Sequence, residues 1–341
     1  MDEKSVSDLG FPKTLGKYIL QDLLGRGAMG VVFRAQQKVI GRIVALKILS
    51  LKNIGLQDNS LQRFLREAKT AAKLIHPNIA TILDIGEERG FHFFAMQFIE
   101  GRSLKDIIDY HYYDQYSVYD KIEIFLGMAK ALTAAHRAGI VHRDIKPANV
   151  VLDKEGVPVI LDFGIAKTEE APGLTKTGIV VGSAPFMSPE QARGEKVDFR
   201  TDVFSLGTMM YEFITGVRAF PAANKREAIM DRQRLDKLPK SKLPRPIRSL
   251  VPQVPPQLEE IIKRCMHPDK EMRYSPTSEL VAALEHLKEV IMKEKTDIVV
   301  DGKFIGALTF KGYKINPQVL RAPLMVAGGI VVLGLLLALI F

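Results

Sequence analysis

Ile140-Val141-His142-Arg143-Asp144-Ile145-Lys146-Pro147-Ala148-Asn149-Val150-Val151-Leu152 is the stretch on which the reading of this fold turns. It sets an acid, a base and an amide at fixed offsets on a short loop between apolar segments. Asp144 is suited to accept a proton, Lys146 to hold a phosphoryl oxygen and Asn149 to take a metal. Few loops need so many unlike polar groups so close together. The chemistry these groups suit needs two more parts, a cradle for phosphates upstream and a metal-binding carboxylate downstream. Both are present, in that order.

Upstream, Tyr18 to Ile99 reads mostly as short strands broken by glycine. An apolar run ending at Leu24 enters Gly25-Arg26-Gly27-Ala28-Met29-Gly30, and Val31-Val32-Phe33-Arg34-Ala35 leaves it. A lone GxGxxG is a weak signal, and in a dinucleotide-binding fold it opens a helix. Here β-branched and aromatic residues follow, so the loop reads as a hairpin lid whose glycines let backbone amides approach phosphate oxygens. The next strand, Ile43 to Leu49, carries Lys47, either a solvated edge charge or a phosphate ligand; the glycine hairpin before it favours the ligand. Leu61, Phe64, Leu65, Ala68, Ala71 and Ala72 recur at helical spacing and predict a helix over 59–74, stopped by His76-Pro77. Glu67 lies beside that stripe, either exposed and paired with Arg63 or bracing Lys47.

Strands are expected over 79–86 and 91–98, followed by a hinge at Ile99-Glu100-Gly101. Ser103 begins a short helix, and Tyr119 to Ala138 a long one capped by Gly139. The tyrosines at 110, 112, 113, 116 and 119 are expected to cover the join between them. Beyond the opening loop, Val159-Ile160-Leu161-Asp162-Phe163-Gly164 is a buried-type strand delivering Asp162 at its end. A carboxylate there is costly unless paired or metal-bound, which favours a functional role.

Taken together, Gly25-x-Gly27-x-x-Gly30-x-Val32, Val44-Ala45-Leu46-Lys47, Glu67, His142-Arg143-Asp144, Asn149, Asp162-Phe163-Gly164 and Ser188-Pro189-Glu190 resemble the protein-kinase signature set. The resemblance runs from about Tyr18 to Leu287. Lys146 two residues after Asp144 is similar to the Ser/Thr kinases rather than the tyrosine kinases. The phrases KPANV and MSPEQ look most like bacterial eukaryotic-like Ser/Thr kinases, many of which are membrane proteins.

The resemblance implies an α+β, two-lobed protein-kinase fold over 17–288, with a β-rich N-lobe (17–99) and a helical C-lobe (100–288). It implies ATP and Mg²⁺ as cofactors and protein Ser/Thr hydroxyls as acceptors. Leu24, Gly25, Arg26, Gly27, Ala28, Met29, Gly30 and Val31 would cover the nucleotide, with Val32, Ala45, Met96 and Phe98 lining its adenine pocket. Lys47, braced by Glu67, would hold the α- and β-phosphates, and Asn149 and Asp162 would hold Mg²⁺. Asp144 would orient the acceptor hydroxyl and take its proton, and Lys146 would steady the transferring group. Asp202 resembles the aspartate that braces the catalytic loop, and Arg273 the arginine that pairs with Glu190. Phosphorylation at Thr175 or Thr177 would pair with Arg143 and order the segment, implying a homodimer for trans-autophosphorylation. Ser183 resembles the family's bridging hydroxyl, usually Thr. Ala148 stands where many arginine-preferring kinases carry Glu, so a strong preference for upstream Arg is not expected.

Outside this region the chain has other signals. Leu324 to Phe341 carries no charge. At 1.5 Å rise that run spans about 27 Å, close to a bilayer core, which predicts a C-terminal transmembrane helix. Lys311, Lys314 and Arg321 before it place the kinase on the cytoplasmic side, with the bilayer as a partner. Residues 1–16 read as a flexible tail and 289–323 as a juxtamembrane segment, in which Asp297 to Ile305 forms a hairpin turning at Asp301-Gly302. The basic, proline-rich stretch 226–256 reads as a solvated face. Cys265 is the only cysteine, which excludes an intrachain disulfide. The net charge of +9 alone would suit nucleic acid or an anionic membrane, but without an RNA-binding or zinc-ligand pattern no nucleic-acid partner is expected. A kinase-fold scaffold without catalysis would have lost Lys47, Asp144 or Asp162, and none is lost.

Overall fold

A computed structural model describes residues 11–27, 30–49, 68, 71–162, 184–300 and 303–306. The chain divides into two units, residues 1–291 and 292–341.

The first unit begins with β1 (Thr14–Leu15), β2 (Tyr18–Gly27), β3 (Gly30–Gln37), β4 (Ile43–Leu49), β5 (Ile82–Glu88) and β6 (Phe91–Gln97). They form one antiparallel sheet in the order β1-β2-β3-β4-β6-β5. Because successive strand side chains face opposite sides, each strand serves two environments. Val44, Leu46 and Ile48 of β4 join Phe93 and Ala95 of β6, with Leu20 and Phe33, in a small core on one face. Ala45 and Leu49 alternate with them and, like Phe94 and Met96, join the large core on the other face. Lys47 belongs to this second set, so period-two alternation turns it toward the large lobe.

β7 (Gly101–Ser103), β8 (Val150–Asp153) and β9 (Pro158–Ile160) form a second small sheet. Gly101 is needed there, because a Cβ at this position would sit 1.9 Å from the Leu152 carbonyl oxygen. The helices are α1 (Leu104–Asp109), α2 (Val118–Arg137), α3 (Pro189–Arg193), α4 (Arg200–Thr215), α5 (Lys225–Gln233), α6 (Ile247–Leu250), α7 (Pro256–Cys265) and α8 (Thr277–Thr296). Ser117 and Asp120 close a capping box that starts α2, and the helix stops at Ala138 with Gly139 left-handed at φ 75°. α4 is almost wholly buried.

A parallel bridge joins the two sheets' surroundings. Ala80 N donates to Ile160 O (3.0 Å), Ile160 N donates to Asn78 O (2.9 Å), and Asn78 Nδ2 donates to Pro158 O (2.8 Å). In the second unit, β10 (Asp297–Val300) and β11 (Lys303–Gly306) pair antiparallel, with Val300 opposite Lys303.

One expectation is corrected. The composition of 226–256 predicts a solvated face that includes Arg232, yet Arg232 is 1% exposed and stacks on Phe220 with its guanidinium carbon 3.8 Å from the ring centroid. Its position on the inner face of α5, against Pro185 O at 2.8 Å, outweighs composition. Burial pushes its pKa down to about 9, with Asp231 partly offsetting. Of the tyrosines, Tyr112, Tyr113 and Tyr116 pack on the large core as expected, while Tyr110 is exposed. Among the described residues, no helix is long and apolar enough to cross a membrane. The predicted span 324–341 lies outside the described residues, as do most of the predicted 59–74 helix, Glu67, Ala28, Met29, Phe163, Gly164, Thr175, Thr177 and Ser183.

Candidate active site

The site is built where the opening loop meets the end of β9. Asp202, fully buried on α4, accepts from His142 N and Arg143 N, both at 2.8 Å, and from His136 Nε2 at 2.8 Å. Burial raises the pKa of Asp202, but the His136 hydrogen bond and charge outweigh it and hold the carboxyl below the ordinary range. His142 Nδ1 accepts from Asp144 N at 3.2 Å while Nε2 bonds Leu161 O at 2.9 Å. That pattern fits a neutral ring protonated on Nε2. The imidazole thus links the loop to the residue before Asp162.

Two site residues lie in the left-handed region, Arg143 at φ 63° and Asp162 at φ 52°. Such non-glycine conformations cost about 1–3 kcal/mol each and persist where surroundings over-determine them. Asp202 supplies that constraint for Arg143. For Asp162 it comes from the preceding residue, where Leu161 N donates to Asn149 O at 2.8 Å.

Asp144, 19% exposed at its side chain, accepts from Lys146 Nζ at 2.8 Å. Asn149 Nδ2 donates to the Asp144 carbonyl oxygen at 2.9 Å, which leaves Oδ1 as the amide's outward acceptor. Across the cleft, Lys47 Nζ donates to Asp162 Oδ2 at 2.8 Å. Asp162 Oδ1 is buried and has no hydrogen-bond partner among the described residues. A buried carboxylate oxygen with unmet acceptor capacity fits a hard cation of the Mg²⁺ class, which takes one or two protein oxygens and completes its shell from phosphate and water.

The glycine-rich segment is a hairpin. Gly25 pairs with Val32, Arg26 with Val31 and Gly27 with Gly30. Gly30, at φ 149°, tolerates no side chain, because a Cβ would lie 2.1 Å from Ile48 O. Ala45 and Met96 face each other across β4 and β6, and Val32 packs beside them. Phe98 is partly buried against the same core, while Leu24 is exposed at the lip.

A second set of contacts fixes the loop from below. Glu190, 1% exposed, receives Arg273 Nη1 at 2.7 Å and Nη2 at 2.9 Å. Burial raises its pKa, and the Arg273 pair reverses this, holding the carboxyl below its ordinary range. Gln191 Nε2 donates to Arg143 O at 3.0 Å. The roles of Gln191, His136 and Asn78 were not read from the sequence. Each acts through a backbone atom or a distant partner, which residue type alone does not announce.

Residues 18–286 match the family model described as the protein kinase domain. The chain belongs to this family. Its kinase domain is 36% identical over 280 residues to a probable serine/threonine-protein kinase of Clostridium perfringens, covering 81% of this chain and 39% of that relative. It is 35% identical over 270 residues to the serine/threonine-protein kinase PknD of Mycobacterium tuberculosis, covering 79% of this chain and 39% of that relative. The chain therefore spans about two fifths of the length of these curated relatives. The crystal structure of the Mycobacterium tuberculosis PknI kinase domain superposes with a TM-score of 0.60 at 25% identity, covering 80% of this chain and 97% of that one. The two-lobed kinase fold, with a β-rich N-lobe and a helical C-lobe, is thereby shown.

Proposed function

We propose that this kinase domain transfers the γ-phosphoryl group of ATP to Ser or Thr hydroxyls of proteins. The observation that carries the reading is the convergence of Asp144, Lys146 and Asn149 with the Lys47–Asp162 pair. Phosphoryl transfer asks mainly for positioning and charge neutralisation. Asp144 accepts the proton of the acceptor hydroxyl as its oxygen bonds to the γ-phosphorus. The bond from that phosphorus to the β–γ bridging oxygen breaks, and the electron pair leaves with ADP. Lys146 holds the transferring oxygens, and Lys47 holds the α- and β-phosphates. Asn149 and Asp162 would hold Mg²⁺, which when bound neutralises phosphate charge. The relatives' names and Lys146 support Ser/Thr acceptors.

The test is Mg²⁺-dependent transfer of labelled γ-phosphate to a general protein substrate. Asp144→Asn is expected to lower kcat roughly 10²–10⁴-fold while ATP still binds. A well-folded wild type that transfers nothing would favour a kinase-fold scaffold instead.

Three finer elements belong to the same reading. Trans-autophosphorylation at Thr175 or Thr177 is supported by their position between Asp162 and Glu190 and by Arg143 beside the catalytic carboxylate. Phosphopeptide mapping after ATP incubation would leave both threonines unlabelled if this were wrong. A homodimer would bring one active site to the other's loop. Membrane anchoring through residues 324–341 is supported by their uncharged, apolar composition. The full chain is expected in the carbonate-resistant membrane fraction and a chain ending at residue 323 in the supernatant; equal partitioning would overturn the anchor.

A further inference from the structure

Lys121 lies on the buried stripe of α2, in step with Val118, Phe125, Met128 and Leu132. It is 6% exposed. Its Nζ makes no hydrogen bond or ion pair among the described residues and rests 5.6 Å from the ring centroids of both Tyr113 and Phe213. Desolvation pushes the ammonium pKa down, and the charge of Asp114 offsets only part of this. Asp120, the other nearby acid, is committed to the helix cap through Ser117. A buried lysine without a bonded counterion is costly.

Lys121 lines a cavity of about 320 Å³, at the small end of the range of small-molecule sites. Val118, Ile214 and Leu258 form apolar wall, and Asp114, Ser117 and Gln253 are among the polar groups that share the lining with Lys121. The first turn of α2 also borders it, so the helix adds partial positive charge at the Lys121 end. Lys121 is the cationic group of this lining, and an anionic head would seat on it. One lysine balances one charge, and Asp114 on the same wall disfavours a dianion such as a phosphate monoester. The apolar wall suits a hydrocarbon body.

We propose that this cavity binds a small monocarboxylate with an apolar body, the carboxylate on Lys121 Nζ and the hydrocarbon against Val118, Ile214 and Leu258. Charge-assisted hydrogen bonds from the ammonium would give the site its selectivity. The site is separate from the catalytic residues and does not rest on the activity proposed above.

The test uses the full chain with hexanoate as probe and hexanol as its uncharged match. Calorimetry is expected to show saturable hexanoate binding at least tenfold tighter than hexanol. Lys121→Met, which keeps the stem and removes the charge, is expected to lose that preference while basal transfer activity and melting temperature are retained. In the wild type, hexanoate but not hexanol is expected to slow reductive methylation of Lys121, read by peptide mass spectrometry. Equal binding of the two probes, no saturable binding of hexanoate, or an unchanged preference in Lys121→Met would each overturn the proposal. If Lys121→Met fails to fold, the wild-type probe comparison and methylation protection decide alone.

Discussion

Asp144 and Asp202 are both acids of the catalytic loop's neighbourhood, and their surroundings give them opposite tasks. Asp144 is partly open and faces Lys146, which suits the proton-accepting task proposed for it. Asp202 is sealed and spends its oxygens on two backbone amides and His136. The pH behaviour follows from the second. A carboxyl held below its unfolded pKa contributes stability that is complete above the unfolded value and lost as pH falls through the folded one. Asp202 and Glu190 both have lowered pKa values, so urea midpoints should fall as pH drops below about 4. Asp202→Asn, which takes up no proton there, should show a flatter acid limb; an identical slope would contradict the linkage. The buried Glu190–Arg273 pair gives a second residue-level expectation. Arg273→Ala strands a buried carboxylate and should cost about 3–5 kcal/mol in chemical denaturation. Replacing both partners by apolar residues should recover much of that loss.

At the scale of elements, a close approach explains why glycine is required at position 101. A Cβ at Gly101 would meet Leu152 O at 1.9 Å, forcing β7 away from β8, the strand that follows Asn149. Gly101→Ala should therefore destabilise by about 1–3 kcal/mol and lower phosphotransfer, both measurable on one preparation. Much of the site was legible because its parts come in short contiguous runs. The stretch from His142 to Asn149 needs only loop geometry to converge, and the glycine hairpin announces itself by alternation on either side. Lys47 was also readable, because the glycine hairpin before its strand favours a phosphate ligand over a solvated edge charge. The Lys47–Asp162 contact was not, since its partners lie 115 residues apart and no local pattern encodes that pairing. Arg232 was misplaced because a count of basic residues says nothing about which helix face each occupies. Lys121 shows the opposite lesson. Its place three residues after Val118 and four before Phe125 puts it on the apolar stripe of α2, which its charge alone would not suggest.

At the scale of the molecule, the hydrogen bonds around Asn78 and Ile160 tie residues 78–80 to β9. Asn78→Ala leaves the buried Pro158 carbonyl without its donor and should cost about 1–3 kcal/mol. The same bonds carry a consequence for motion. Residues 78–80 precede the sheet strand β5, yet they are stitched to β9, two residues from Asp162. A rocking of the small lobe would then leave the Asp162 carboxylate stationary and swing β4, with Lys47, across it. The 2.8 Å separation between Lys47 Nζ and Asp162 Oδ2 is in that sense a built-in calliper, whose jaws are one moving strand and one anchored turn.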